Sequence, residues 1–230
     1  MSTGPLYDNI ERASLANGLI VMGALHPARV EARGVDHGTL ILLGTGRDFW
    51  TTFSAAPEAG DGMPDPVDRW SLRVVGALAR RFGGQALFPF GGPPYSPFID
   101  WALRSERAFT SPVGMLVHDT VGLMISYRGA LHFGHEIPFP APPAGSPCMT
   151  CVEKPCLDAC PVGALGAGHG YDLAACHGYL DSDPGRDCME RGCAVRRACP
   201  LSAGAGRPEA QSALHMRAFQ KPPAQRNGGA

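Results

Sequence analysis

Eight cysteines lie between positions 148 and 199, and the chain has no other cysteine. They are Cys148, Cys151, Cys156, Cys160, Cys176, Cys188, Cys193 and Cys199. The first four follow the spacing C-x2-C-x4-C-x3-C, and a proline directly follows both Cys160 and Cys199. A 4Fe–4S cluster needs four thiolates, so eight cysteines supply two complete sets. The two Cys-Pro endings therefore predict two 4Fe–4S clusters.

The ligand sets follow from the arrangement found in bacterial proteins with two clusters. There, the cysteine that precedes the proline binds the cluster of the other loop. The first predicted set is Cys148, Cys151, Cys156 and Cys199. The second is Cys160, Cys176, Cys188 and Cys193. Each set takes a thiol from the far end of the segment, so neither site is expected to form alone.

Three other uses of the cysteines were weighed. Structural zinc also takes four cysteines, but its usual spacing is one short pair, a long gap and a second short pair. A disulfide framework needs an oxidising compartment and is typical of small secreted chains. Inert buried cysteines would not cluster in one segment. The spacing favours iron and sulfide, with zinc as the main alternative.

Two stretches of the cysteine segment resemble known iron–sulfur proteins. The run CMTCVEKPCLDACPVGAL resembles the ferredoxin-type loops of electron-transfer subunits that serve molybdenum enzymes such as dimethyl sulfoxide reductase. The longer pattern, CPVGAL followed by DLAACHGYL and CMERGCAVRRACP, is similar to the iron–sulfur half of the epoxyqueuosine reductase family and its corrinoid-dependent relatives. In that family the cysteine of a Cys-x-x-Tyr-Leu segment, here Cys176 with Tyr179 and Leu180, is a cluster ligand. The last three cysteines depart from the family spacing C-x2-C-x3-C-P, since they are spaced C-x4-C-x5-C-P.

A second match to the same family lies before the cysteines. VGMLVHDT followed by RGALHFGHEI resembles the family's Gly-Trp-Ile-Gly-Lys-Asn-Thr run and the Arg-Gly-Ser-Trp and Gly-Glu-Ile stretches after it. The matching positions are Gly114, Thr120, Arg128, Gly129, Glu136 and Ile137. The positions that differ are Met115, Val117, His118 and Asp119.

Two functions of different classes remain open. In the first, the protein is a ferredoxin-like electron carrier with two 4Fe–4S clusters, and its N-terminal domain docks a redox partner protein. In the second, which the resemblance implies, the N-terminal domain holds cobalamin or another small cofactor that the clusters reduce, and the protein is an oxidoreductase. The first is favoured because His118-Asp119 replaces the family's lysine-asparagine pair and no residue matches its catalytic acid. A non-catalytic iron–sulfur module is the third choice.

Composition limits the class of protein. The chain has 230 residues, 44% of them hydrophobic, which is enough for a substantial core. Its formal net charge of −1 gives no electrostatic basis for binding nucleic acid or an anionic membrane surface. The N-terminus has no basic leader, and the apolar run at 19–25 is too short to span a membrane. We therefore expect a cytoplasmic protein, in a reducing compartment that keeps thiols available for metal.

The remaining pattern predicts an α+β protein. Helices are expected at 5–17, 66–82, 97–105 and 207–220, with Asp65 as the cap of the second. Strands are expected at 19–25, 39–44, 111–120, 121–127 and 130–137, with a turn at Arg128-Gly129 between the last two. The run 39–44 is continuously apolar, which predicts burial on both faces. Gly44, Thr45 and Gly46 lack the third glycine of a nucleotide-binding loop, so a tight turn is expected there.

A proline-rich run at 138–147 predicts the domain junction. We expect an N-terminal α/β sandwich-like domain at 1–140, a loop-rich two-cluster ferredoxin-like domain at 141–205, and a C-terminal helix with a flexible tail at 206–230. The loop Phe88–Trp101 and the strand Val113–Thr120 are the expected walls of any cofactor cavity in the first domain.

Few residues outside the cysteines suggest chemistry. His132 and His135 lie three apart in a predicted strand and would point to opposite faces, so a shared metal is not expected. His118 beside Asp119 is a candidate acid near a ligand. His177 follows a predicted ligand and is expected to shield the cluster or to hydrogen-bond to it, which would tune its reduction potential. The chain contains no nucleophile elbow and no phosphate-binding loop.

Overall fold

The computed structural model describes residues 4–168 and 170–220. The tail predicted to be flexible, 221–230, falls outside the described residues. The helices are α1 (Pro5–Leu15), α2 (Pro27–Val30), α3 (Phe49–Ser54), α4 (Pro57–Gly60), α5 (Pro66–Phe82), α6 (Phe98–Arg104), α7 (Leu173–Leu180), α8 (Arg186–Arg191), α9 (Ala194–Ala198) and α10 (Glu209–Phe219). The strands are β1 (Leu19–Leu25), β2 (Thr39–Thr45), β3 (Gln85–Leu87), β4 (Ala108–Thr110), β5 (Leu116–His118) and β6 (Tyr127–Phe133). Short 3-10 helices lie at Pro147–Met149, Pro155–Leu157, Asp183–Gly185 and Pro200–Ala205.

The larger sheet has the strand order β1-β2-β6-β3, and its strands pair antiparallel. Every residue of β2 is buried, which confirms the burial predicted from its apolar run. Successive side chains of a strand point to opposite faces. Accordingly, Ile41 and Leu43 pack in one hydrophobic cluster with α1 and α5, whereas Leu40 and Leu42 pack in another with α6. The protein is thus an α+β protein with small antiparallel sheets.

Helix α5 spans the residues that the sequence predicted, and its stripe of Trp70, Val74 and Leu78 is buried against the sheet. Asp65 occupies the predicted N-cap position, but its side chain makes no capping hydrogen bond and its backbone is left-handed, with φ of 50°. Its carbonyl accepts from the N–H groups of Asp68 and Arg69 instead, at 3.1 and 3.0 Å. Pro66 at the start of the helix supplies the φ that the first turn needs.

The strands predicted between 111 and 137 are partly wrong. A short antiparallel pair, β4 and β5, replaces the first of them, and residues 121–126 form no strand. The predicted turn at Arg128-Gly129 is also wrong, because both residues lie inside β6. The pairing of β2 with β6 shifts register between Leu43 and Gly44, opposite these residues. A β-bulge, which inserts one residue without reversing the chain, accounts for the misleading turn signal.

The cysteine segment packs on the smaller sheet and on the loop that follows it. Cys156, Leu165 and Val195 share a hydrophobic cluster with Val117 and Leu123. The Ser202 hydroxyl, just after Cys199, accepts from the buried Leu123 N–H at 3.1 Å. The backbone approaches so closely here that a Cβ at Gly122 would lie 2.6 Å from the Ser202 nitrogen. The loop 121–126 therefore fixes the end of the segment, while the domain boundary expected at 140 stays a prediction.

Within residues 4–168 and 170–220, no helix combines the length and the apolar character needed to cross a bilayer.

We expect Ser202→Ala to lower the free energy of unfolding by about 1–3 kcal/mol, because it leaves the buried Leu123 N–H without its acceptor. Denaturant titration of the purified proteins measures this difference. Ser182→Ala is the matched control, since the Ser182 hydroxyl donates to Tyr179 in an exposed position, and it should change stability by less than about 0.5 kcal/mol. Equal effects of the two substitutions would contradict a special role for Ser202.

Candidate metal centre

The first cysteine loop is held by two single-turn 3-10 helices, each beginning with a proline. Pro147 starts the turn that carries Cys148, and the Ser146 hydroxyl accepts from the Cys148 N–H at 3.3 Å. Pro155 starts the turn that carries Cys156. Because proline fixes φ near the helical value, both turns are set before any ligand binds.

The remaining thiols stand on short helices or directly beside them. Cys176 lies in α7, whose first turn is capped by the Asp172 carboxylate accepting from the Ala175 N–H at 2.9 Å. Cys188 lies in α8, and Cys193 and Cys199 flank α9. Helices of five to eight residues are marginal in isolation. Their positions therefore depend on tertiary packing.

The structure gathers one group of four thiols around a cavity of about 480 Å³. Its cysteines are Cys148, Cys151, Cys156 and Cys199. Burial raises the pKa of the Cys156 thiol, and the neighbouring thiols of Cys199 and Cys148 raise it further. Thiolate character, which metal binding requires, is thus disfavoured until a cation arrives.

A second group of four thiols lines a separate cavity of about 240 Å³. Its cysteines are Cys160, Cys176, Cys188 and Cys193. Burial raises the pKa of the Cys176 thiol, against a hydrogen bond from Tyr171 that lowers it. The Tyr171 hydroxyl donates to the Cys176 sulfur at 3.1 Å. This bond places a donor beside the sulfur on which negative charge would lie.

The two groups have the same members as the two ligand sets predicted from the sequence. Cys160 belongs to the first cysteine loop in the sequence but lines the second cavity, whereas Cys199, the last cysteine of the segment, lines the first. Thiols of both groups pack against the one hydrophobic cluster that contains Val195, which is fully buried. That these groups hold iron and sulfide stays a prediction.

In the described part of the chain, no three His, Cys, Asp or Glu side chains are placed to hold a single metal ion. One zinc ion needs its ligands about 2.0–2.3 Å from a common point. In a 4Fe–4S cube each thiolate binds a different iron, so its four sulfurs surround a cavity. The two kinds of site therefore require different arrangements of the four sulfurs.

His118 and Asp119, candidates for acid chemistry, have structural partners. His118 is fully buried, accepts from the Thr120 N–H at Nδ1 and donates from Nε2 to the Met22 carbonyl at 3.0 Å. Burial lowers the pKa of His118, which keeps the ring neutral. Asp119 accepts two hydrogen bonds from Arg107, at 2.7 and 2.8 Å. These bonds fix the small sheet against β1.

The other histidines considered in the sequence analysis are His132, His135 and His177. The Nε2 of His132 contacts the His37 carbonyl at 3.1 Å, and His135 lies beyond the end of β6. The His177 ring stacks on Phe219 with centroids 4.7 Å apart and is hydrogen-bonded to Gln220. His177 therefore ties α7 to α10.

Four residues of the second cavity were missed by the sequence reasoning: Tyr171, Arg196, Arg207 and His215. They come from a loop, from α9, from the turn before α10 and from α10 itself. No sequence spacing links these four residues, since the packing of α10 on α8 brings the last two to the cavity.

No family model matches the chain, and a search of curated proteins finds no significant relative.

We expect Cys199→Ala to reduce the metal content of both sites, because the chain after Cys199 also anchors the hydrophobic cluster shared by the two thiol groups. Iron and sulfide analysis, together with limited proteolysis, measures the effect. Metal binding here contributes folding free energy, so protection from protease should fall as well.

Asp158→Ala is the control for this experiment. Asp158 lies in the same segment, is exposed and is not among the residues that line either cavity, so its truncation should leave metal content and protease resistance unchanged. A Cys199→Ala protein that kept full occupancy of both sites would refute the crossed assignment.

Proposed function

We propose that the protein is a ferredoxin-like electron carrier with two 4Fe–4S clusters. The observation that supports this most directly is the grouping of the eight cysteines into two cavities with four thiols each. Cys148, Cys151, Cys156 and Cys199 would hold one cluster, and Cys160, Cys176, Cys188 and Cys193 the other. When bound, each cluster supplies a one-electron redox couple, and the chain positions the couple and controls its access to water.

The environment of the first cavity suits exchange of electrons with a partner protein. Met149 and Val152, which lie beside Cys148 and Cys151, are 84% and 93% exposed. Apolar side chains at the surface next to a redox centre let a partner approach closely and exclude water from the contact. We therefore place the redox partner on this loop.

The alternative, a corrinoid-dependent reductase, requires a large apolar cavity in the N-terminal half. Some of the residues expected to line this cavity are instead buried in the hydrophobic core. Trp101 is buried and its indole N–H donates to the Arg33 carbonyl at 2.7 Å, while Phe98 is also buried. Val117 and His118 on β5 are likewise buried. This packing supports the carrier over the reductase.

Metal and sulfide analysis tests the proposed function. Protein purified without oxygen should contain about eight iron and about eight acid-labile sulfide per chain. Stoichiometric zinc without sulfide would contradict the proposal and support a structural metal site.

Calorimetry with cobalamin distinguishes the carrier from the reductase. We expect weak binding or none, and reduced protein should pass electrons to small acceptors without reducing an epoxide. Gly114 is the test position, because a Cβ there meets no atom within 4 Å. Its φ of +76° strains any side chain, so Gly114→Ala, which adds the strain without the bulk, is the matched control. Tight cobalamin binding that Gly114→Phe weakens would establish the reductase.

A further inference from the structure

The two cavities differ in the charged groups along their walls. Glu153 and Lys154 line the first cavity, and both side chains are exposed, so water screens their charges. Arg196 and Arg207 line the second cavity, and none of the described residues along its wall is an Asp or a Glu. Asp187, whose charge acts on the Cys188 thiol, is itself paired with Arg191 and Arg197. Two positive charges of the wall thus have no carboxylate beside them among its described residues.

These guanidinium groups are withdrawn from water and have few partners. Arg196 donates to the Leu123 carbonyl, and Arg207 donates to the Met124 carbonyl at 2.6 Å. Neither forms an ion pair within the described residues. Burial, together with the positive charges of Arg196 and Arg128, lowers the pKa of Arg207 to about 10. Arg207 remains charged at neutral pH.

Two buried nitrogen atoms at this wall lack a hydrogen-bond partner in the described structure, Arg207 Nε and His215 Nε2. Burial lowers the pKa of His215 to about 3, and Arg207, Arg128 and Arg196 act in the same direction. A buried N–H without an acceptor destabilises the folded state, and more so when the group is charged. The Arg207 Nε is such a donor, and an anion in the cavity that accepts from it would remove that cost.

A 4Fe–4S cluster with four thiolates is itself an anion, and reduction adds one more negative charge. Nearby positive charge and N–H donors stabilise the more negative state, which raises the reduction potential. The effect is strong in a poorly solvated site, since charges there are little screened. The Tyr171 hydroxyl adds a donor to the Cys176 sulfur on the same side.

We infer that Arg196 and Arg207 make the second cysteine group the electron-accepting end of the protein. This inference rests on the proposed function. A cluster held by Cys148, Cys151, Cys156 and Cys199 would take one electron from an external one-electron donor beside the exposed Met149 and Val152. It would lose that electron again to a cluster held by Cys160, Cys176, Cys188 and Cys193, and no bond would form or break. The arginines are positioning residues for charge and touch no substrate.

A redox titration followed by electron paramagnetic resonance tests this order. The protein is loaded with iron and sulfide, reduced stepwise with dithionite, and kept free of phosphate and sulfate so that no added anion neutralises the arginines. Cys151→Ser and Cys188→Ser assign the two signals, because each alters the ligand of one cluster. We expect the cluster altered by Cys188→Ser to be reduced first in the wild-type protein.

Arg196→Gln and Arg207→Gln should each lower the electron affinity of the second cluster about tenfold, or about 59 mV for one electron, and leave the first unchanged. Arg207→Lys keeps the charge and should retain most of the affinity. Arg186→Gln is the matched control: this side chain is 70% exposed and lies two positions before Cys188, so removing its charge should move neither couple.

The outcomes separate the inference from the function on which it rests. Protein without iron and sulfide refutes both. Fully loaded protein in which both glutamine variants leave the reduction potential of the second cluster unchanged refutes the inference alone. The inference is also refuted if the cluster that Cys151→Ser alters is reduced first in the wild-type protein. If one glutamine variant does not fold, the other and Arg207→Lys still decide the result.

Discussion

Both thiol groups depend on one hydrophobic cluster, in which the small sheet packs against the cysteine segment. Val113, Val117 and Leu123 supply one side, and Val195 and Leu165 the other. A two-stranded sheet such as β4–β5 is at best marginally stable alone. The cysteine segment contains only short helices and turns, so it cannot build a core by itself. Each part therefore provides the apolar surface that the other needs.

The local elements were the most predictable part of the fold. Strand β1 and helix α5 have the predicted bounds, because their apolar residues recur with a clear period and proline or glycine marks their ends. The cysteines that line each cavity are the members of one predicted ligand set, which followed from the proline after Cys160. That these cysteines bind clusters stays a prediction.

Features set by tertiary contacts escaped prediction. The run 121–126 is apolar enough for a strand, but it turns to meet the chain at Ser202, so its backbone bonds outside a sheet. Arg128 looked like part of a turn, yet it lies in a bulge of β6 with its side chain paired to Asp68 at 3.2 Å. The positive charge around the second cavity could not be predicted from the sequence either. A net charge of −1 says nothing about where two arginines are buried.

Because the chain crosses between the two cavities, the order of synthesis decides when each group of four thiols is complete. Cys199 is the last of the eight cysteines to be synthesised, and the first cavity needs it. When only the first loop has been synthesised, the chain has three thiols of one site and a single thiol of the other, that of Cys160. Neither site can be completed during synthesis of that loop. If the two groups bind clusters as proposed, loading must wait until the whole segment has emerged, and the growing chain would expose its thiols to oxidants until then.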